Sequence, residues 1–241
     1  MSNAIIILGT VLVVLIIYML FQSYFNGEQK LLSKSLLSIA PPVIPLNISK
    51  PNASNFSYGI WIYVQQWKVP IGGGWTEANS RIFARQDEIG LYLGENATLK
   101  VRLADKGSKD VTATGNYTDI TLTQNFPIQK WVHVGLVVDG NKFDGYIDGK
   151  MVKSIGLTNV IQPSESGGVY KQIDFGQANA MADTLMIAEH KRRTEPMDPK
   201  EMWDLYMKGN GINGLTQSAG SMNVNLSILK DGVVSSKVAL F

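Results

Sequence analysis

At 241 residues, with 45% apolar and 17% charged side chains, the chain has the composition of a folded protein with one main core. A net charge of +2 and a pI near 8.6 exclude the strong basic field expected of a nucleic-acid binder. The lack of cysteine excludes disulfides, thiolate nucleophiles and cysteine zinc sites, and it suits a reducing compartment.

The first element is a membrane segment. Residues 4–21, AIIILGTVLVVLIIYMLF, carry no charged side chain, and the apolar character continues to Tyr24 and Phe25. As a helix they span roughly 27–33 Å at about 1.5 Å per residue, which matches a hydrocarbon core. The start MSNA has no basic residue, and the run ends in bulky aromatics instead of a small-residue cleavage site. An uncleaved anchor over residues 1–27 is therefore expected, touching the bilayer through 4–25.

Two signals disagree about sidedness. Lys30 and Lys34 against Glu28 place the following domain in the cytoplasm by the positive-inside rule, and the missing cysteines agree. Asn47, Asn52, Asn55, Asn96, Asn116 and Asn225 each begin an N-x-[ST] triplet, which in a lumenal or cell-surface protein reads as a glycosylation site. The expected orientation is cytoplasmic, with the lumenal one as the alternative.

Residues 28–54 read as a juxtamembrane segment. In EQKLLSKSLLSIA, Leu31, Leu32, Leu36 and Ile39 have near-helical spacing, so the stretch is expected to lie on the membrane or to continue the anchor as a stalk. PPVIP at 41–45 stops any helix and begins a polyproline-like spacer.

From Asn55 the pattern becomes short strands and turns. FSYGIWIYV (56–64) reads as a strand buried on both faces, and TLKVRL (98–103) as a half-solvated one. Further strands are expected at 81–85, 89–93, 118–123, 131–138, 143–147, 151–155, 172–176 and 183–189. Asp139-Gly140 and Asp148-Gly149 make tight turns on either side of the strand expected at 143–147. Asp198 caps a short helix that has Pro199 in its first turn, Glu201 three residues after the cap and Gly209 past its end. Residues 211–241 form a linker and a hairpin turning at Asp231-Gly232.

This series of short strands predicts an all-β antiparallel sandwich with an N-terminal transmembrane helix and one short C-terminal helix. Over residues 55–210 it resembles the laminin G-like and pentraxin-like jelly rolls of the concanavalin A-like lectin/glucanase superfamily. Trp131, His133, Val134, Tyr146, Asp148 and Gly149 occupy that family's Trp-x-His-Val and Tyr-x-Asp-Gly positions. The resemblance implies structural roles for Trp131, His133, Asp139, Gly140, Asp148 and Gly149. It says little about activity, because one sandwich hosts lectins, hydrolases and structural modules.

Glucanases on this fold need two carboxylates at a two- or four-residue spacing on one strand. No such run occurs: Asp87 and Glu88 are adjacent, and Asp144 and Asp148 straddle a turn. No catalytic residue, metal or cofactor is assigned, and the protein is expected not to be an enzyme. Some relatives bind calcium through loop acids; the weak candidates here are Asp87, Glu88, Asp105 and Asp110. Contacts to glycan or protein are sought in Trp67, Trp75 and Tyr117 as a rim platform. The basic run His190, Lys191, Arg192 and Arg193 is read as a loop before the helix, either simply solvated or in contact with anionic lipid, acidic protein or glycan.

A single-span anchor bearing such a domain is similar to membrane-associated minor capsid proteins of large DNA viruses of algae. That similarity implies a non-enzymatic module tying an internal membrane to a protein shell, with protein partners and no nucleic acid. A membrane-anchored lectin with a glycan partner is the alternative, and a degenerate glucanase a remote third.

Overall fold

A computed structural model describes residues 9, 11–18, 28–40, 43–45, 53–70, 74–85, 88–104, 117–161, 172–211, 225–230 and 233–239. Asn47, Asn52, Asn116, Asp87, Asp105 and Asp110 lie outside the described residues, and Asn225 is described in its backbone only.

The alternation in FSYGIWIYV builds the centre of the molecule. Phe56, Tyr58, Ile60, Ile62 and Val64 of β3 (Phe56–Val64) are all fully buried on one face, and Trp61 is nearly so on the other. Two six-stranded antiparallel sheets enclose the core. In chain order the remaining strands are β1 (Glu28–Leu36), β2 (Val43–Pro45), β4 (Arg81–Arg85), β5 (Ile89–Gly94), β6 (Thr98–Ala104) and β7 (Tyr117–Thr123). After them come β8 (Trp131–Asp139), β9 (Lys142–Ile147), β10 (Lys150–Gly156), β11 (Gln172–Phe175) and β12 (Leu185–Arg193). The first sheet runs β1-β12-β3-β8-β9-β10 and the second β2-β11-β4-β5-β6-β7. The strand positions expected from 56 to 189 recur here with shifts of a few residues at their ends, and the two sheets make the expected sandwich. Strands β13 (Asn225–Lys230) and β14 (Val233–Ala239) pair with each other as a separate two-stranded sheet.

Residues 28–40 are neither a membrane-lying helix nor a stalk. Residues 28–36 are β1, paired antiparallel with β12 from Glu28 opposite Arg193 to Leu36 opposite Met186. The leucine spacing suits a helix locally, but β12 offers a whole row of backbone donors and acceptors whose pairing outweighs that preference. A register shift between Lys30 and Leu32 accompanies the packing of both Leu31 and Leu32 against the core. Within the proline-rich stretch, the described residues 43–45 are not a free spacer but form β2 against β11. The sandwich therefore begins three residues after Phe25.

Residues 11–18 are helical (α1), and their apolar side chains from Val11 to Tyr18 are 47–64% exposed. No helix among the described residues is long and apolar enough to cross a membrane.

A four-residue helix, α2 (Glu77–Ser80), precedes β4, and α3 (Pro199–Met207) packs on the outer face of the first sheet. Asp198 accepts from the Glu201 amide at 2.7 Å, and Glu201 accepts from the Asp198 amide at 3.0 Å, a complete capping box. Met202 and Leu205 bury themselves with Val137, Tyr146 and Met197 in a satellite cluster beneath the helix. The helix comes close because Gly59 and Gly135 face it: a Cβ at Gly59 would lie 2.6 Å from Leu205 Cδ2, and one at Gly135 would collide with Met202 Sδ. Asp198→Ala is expected to cost about 1 kcal/mol by loss of the cap, read as a lower urea midpoint at unchanged slope.

Candidate functional site

β-Strand periodicity decides where the polar side chains of the second sheet point. Leu99, Val101 and Leu103 of β6 face the core, so Lys100 and Arg102 stand on the outer face, and Tyr92 of β5 joins them. The Arg102 guanidinium lies 3.7 Å from the ring centroid of Tyr117 and 5.3 Å from that of Tyr92. Opposite it in the β6–β7 register stands Asp119, which takes Arg102 in a two-point contact, Nε to Oδ1 at 2.8 Å and NH2 to Oδ2 at 3.1 Å. The planar cation is thus fixed by rings and by a carboxylate fork.

A cleft of about 480 Å³ opens over this face, lined among others by Trp75, Tyr92, Asn96, Lys100, Arg102 and Asp119. The loop carrying Trp75 is locked by its own polar groups. The Thr76 amide donates to Asn79 Oδ1 at 2.8 Å, Asn79 Nδ2 donates to the Gly74 carbonyl at 2.9 Å, and Ser80 Oγ donates to the Thr76 carbonyl at 2.6 Å. Trp75 also packs against Trp67, with ring centroids 6.1 Å apart. Asn96 is exposed at the rim with φ 55°, so a glycan on that sequon would stand over the cleft. At Asn55, by contrast, Oδ1 accepts from the Gly140 amide at 2.8 Å, and the hydroxyl of Ser57, its sequon partner, donates to the Glu195 carbonyl at 2.7 Å.

Of the expected aromatic platform, Trp75 lines the cleft, Tyr117 stacks on the arginine within it, and Trp67 stands behind Trp75 against the core. Lys100, Arg102, Asp119 and Tyr92 were not singled out from the sequence. The alternation of TLKVRL marks Lys100 and Arg102 as outward, but the pairing of Arg102 with Asp119 follows only from the sheet register.

The basic run is not a loop. His190 and Arg192 are fully buried inside β12, while Lys191 and Arg193 point outward. Between Ala188 and Lys191 the register against β3 shifts, and Glu189 takes φ 46°. This bulge supplies one extra residue and carries β12 on past the expected end at 189. Arg193 donates to Glu201 Oε1 at 2.6 Å and ties the strand to α3. Arg192 NH2 donates to Glu88 Oε2 at 3.3 Å, and Arg85 NH1 contacts the same carboxylate. Glu88 is fully buried between the two guanidiniums, which removes it from any surface calcium site. Among the described residues no cluster of three or more acidic or histidine side chains could hold a metal.

His133 faces α3, its ring 5.2 Å from Trp61 and 6.2 Å from Tyr206, centroid to centroid. Burial, with help from the Lys191 charge, pushes its pKa down to about 3. His190 lies among Tyr58, Phe83 and Phe175, and burial likewise pushes it down to about 3. Asp148, at φ 49°, closes the tight turn after β9: its Oδ1 accepts from the His133 amide at 2.9 Å, and its own amide donates to the His133 carbonyl at 2.8 Å. Gly149, at φ 72°, and Gly140, at φ 59°, take the left-handed backbone that the two turns require.

No curated protein shows significant sequence similarity to the chain. Among solved structures it is similar to one of botulinum neurotoxin type C, described as entering cells in dependence on two ganglioside molecules. That match has a TM-score of 0.49 and 18% identity over 69% of this chain and 39% of that one. The binding domain of botulinum neurotoxin DC in complex with SialylT matches with a TM-score of 0.49 and 19% identity, covering 76% of this chain and 42% of that chain. A point mutant of HCR/D matches with a TM-score of 0.50 and 14% identity over 75% and 42% of the two chains. This chain thus spans about two-fifths of each neighbour, and at such identities the likeness concerns the fold alone. The model of a laminin G-type family matches residues 43–184, more than half of the chain, which therefore belongs to the concanavalin A-like lectin/glucanase superfamily.

Proposed function

We propose that this protein is a non-enzymatic attachment module, tethered to a membrane by residues 4–25 and binding a partner through its sandwich. The observation that carries the tether is α1, whose apolar side chains are exposed on every side while the flanking sequence from 4 to 21 holds no charge. A helix apolar all round needs an apolar environment, and a bilayer supplies one. The non-enzymatic reading rests on the acids of the cleft. Asp119 has both oxygens engaged by Arg102, and Glu95 sits on a different segment, so among the described residues of the cleft no strand presents a nucleophile and an acid together.

The finer role is that of a structural protein joining an internal membrane to a capsid-like shell, with the sandwich on the cytoplasmic side or within the virion. Because β1 starts only three residues after the apolar segment, the domain would stand against the bilayer surface and carry its load through the β1–β12 ladder. Full-length protein is expected to float with lipid vesicles and to resist alkaline carbonate extraction, while deletion of residues 1–25 releases it. Complete extraction of the intact chain by carbonate would overturn the tether.

The cleft favours a second reading, a membrane-anchored lectin. A guanidinium clamped between two tyrosines beside Trp75 presents both a flat apolar surface and oriented donors, the combination that sugars require. The intact chain in detergent on a glycan array decides between the two. Binding that disappears in Trp75→Ala and Arg102→Ala supports the lectin, and a flat array supports a protein partner.

A further inference from the structure

On the opposite sheet from the cleft, a pocket of about 310 Å³ lies between the C-terminal end of α3 and the outer face of β3, β8 and β12. We propose that this pocket binds a phosphate group. Trp61 and His133 line it together with Leu205, and Lys30, Lys191 and Lys208 converge on it from β1, β12 and the end of α3. Among the described residues that line the pocket Glu189 is the one acid, with Oε1 2.5 Å from Lys30 Nζ and Oε2 3.9 Å from Lys191 Nζ. Lys208 has no ion pair among the described residues, so the pocket holds an excess of positive charge.

The second observation is independent of the lysines. His133 is 1% exposed, yet its Nδ1 is buried with no hydrogen-bond partner among the described residues. An unmade bond on a buried polar atom is a cost to the fold, and here it is retained in a side chain that lines a cationic pocket. The ammonium groups of Lys30, Lys191 and Lys208 supply the charge and the donors that an anion needs, and the rings of His133 and Trp61 wall the pocket beside them. The β12 bulge at Glu189 is what turns residues 189 and 191 toward the same pocket, and the β1 pairing brings in Lys30. A phosphomonoester, with two charges and three acceptor oxygens, matches this donor set better than a carboxylate.

The phosphate can come from solution or from a lipid headgroup, since Lys30 follows the apolar segment by five residues. The site needs neither the cleft nor the tether, so its failure leaves the carbonate result untouched. The test is a thermal-denaturation series on the full-length protein in phosphatidylcholine nanodiscs at pH 7.5, at constant ionic strength. Inorganic phosphate is titrated in one arm, and phosphatidic acid replaces part of the lipid in the other. A saturable rise in midpoint is expected in at least one arm, following the linkage of ligand to the folded state. A rise with free phosphate assigns a soluble ligand, and a rise with phosphatidic acid alone assigns a headgroup. Lys208→Glu, at an exposed position, is expected to weaken the effect at least tenfold, whereas Lys34→Glu, outside the pocket, leaves it intact. No rise in either arm, or equal weakening by the two variants, overturns the proposal.

Discussion

Glu88→Gln is expected to destabilise the domain by about 3–5 kcal/mol, a large part of the total stability of a single domain. The carboxylate is fully buried between Arg85, 1% exposed, and Arg192, which is fully buried. Arg192 donates from Nε to the Tyr58 hydroxyl at 3.1 Å and from NH2 to Glu88 Oε2 at 3.3 Å, while Arg85 takes the same carboxylate from β4. These contacts join the two sheets at one end of the sandwich, since Arg192 belongs to the first and Arg85 to the second. Neutralising Glu88 leaves two guanidiniums desolvated beside each other with the intervening charge removed. Removing a cation instead is less damaging: Arg192→Met leaves the Arg85–Glu88 pair intact, and a loss of about 1–3 kcal/mol is expected. The double variant should lose less than the sum of the singles, because the second change relieves a charge that the first has stranded. Urea denaturation of the three variants measures this coupling. Equal losses for Glu88→Gln and Arg192→Met, adding in the double variant, would show that the three side chains do not act as one unit.

The same strand shows how far the sequence could be read. Between residues 56 and 193 the two-residue period was strong, and Asp-Gly pairs marked the turns, so strands such as 131–138 and 143–147 lie where alternation puts them. β1 was missed because four leucine and isoleucine positions satisfy a helical spacing, and its true partner lies about 150 residues away in sequence. Nothing local in EQKLLSKSL announces β12. The basic run was misread for a related reason: four consecutive polar residues look solvated unless one knows that a bulge at Glu189 resets the alternation and that Glu88 waits inside for Arg192. The candidate cleft was half visible. Aromatic residues in loops could be picked out singly, whereas the clamp of Tyr117, Arg102 and Asp119 needs the register of β6 against β7, which neither strand shows alone.

Acid should unfold the protein through its two histidines before its carboxylates titrate. His133 and His190 are the only histidines in the chain, and burial holds both near pKa 3 in the fold. In the unfolded chain each returns to about 6.5, so between these values the unfolded state binds more protons and stability falls as pH falls. The stabilisation from keeping both rings neutral is present in full above pH 6.5 and is lost progressively towards pH 3. Each ring costs about 1.4 kcal/mol per pH unit in this window, so at pH 5 the pair together removes about 4 kcal/mol. Most other side chains do not change charge between pH 5 and 7, which makes that interval diagnostic. Unfolding free energies from urea titrations at pH 7.5, 6 and 5 should show this slope, and His190→Phe should halve it. Phenylalanine suits the site because neither nitrogen of His190 has a hydrogen-bond partner among the described residues, while Tyr58, Phe83 and Phe175 already surround the ring. The variant gives up no polar contact and no longer needs to exclude a proton, so it should match the native protein at pH 7.5 and exceed it at pH 5. A flat native profile from pH 7.5 to 5 would mean that the imidazoles are not buried as neutral groups, and the inward placement of His190 on β12 would fall with it.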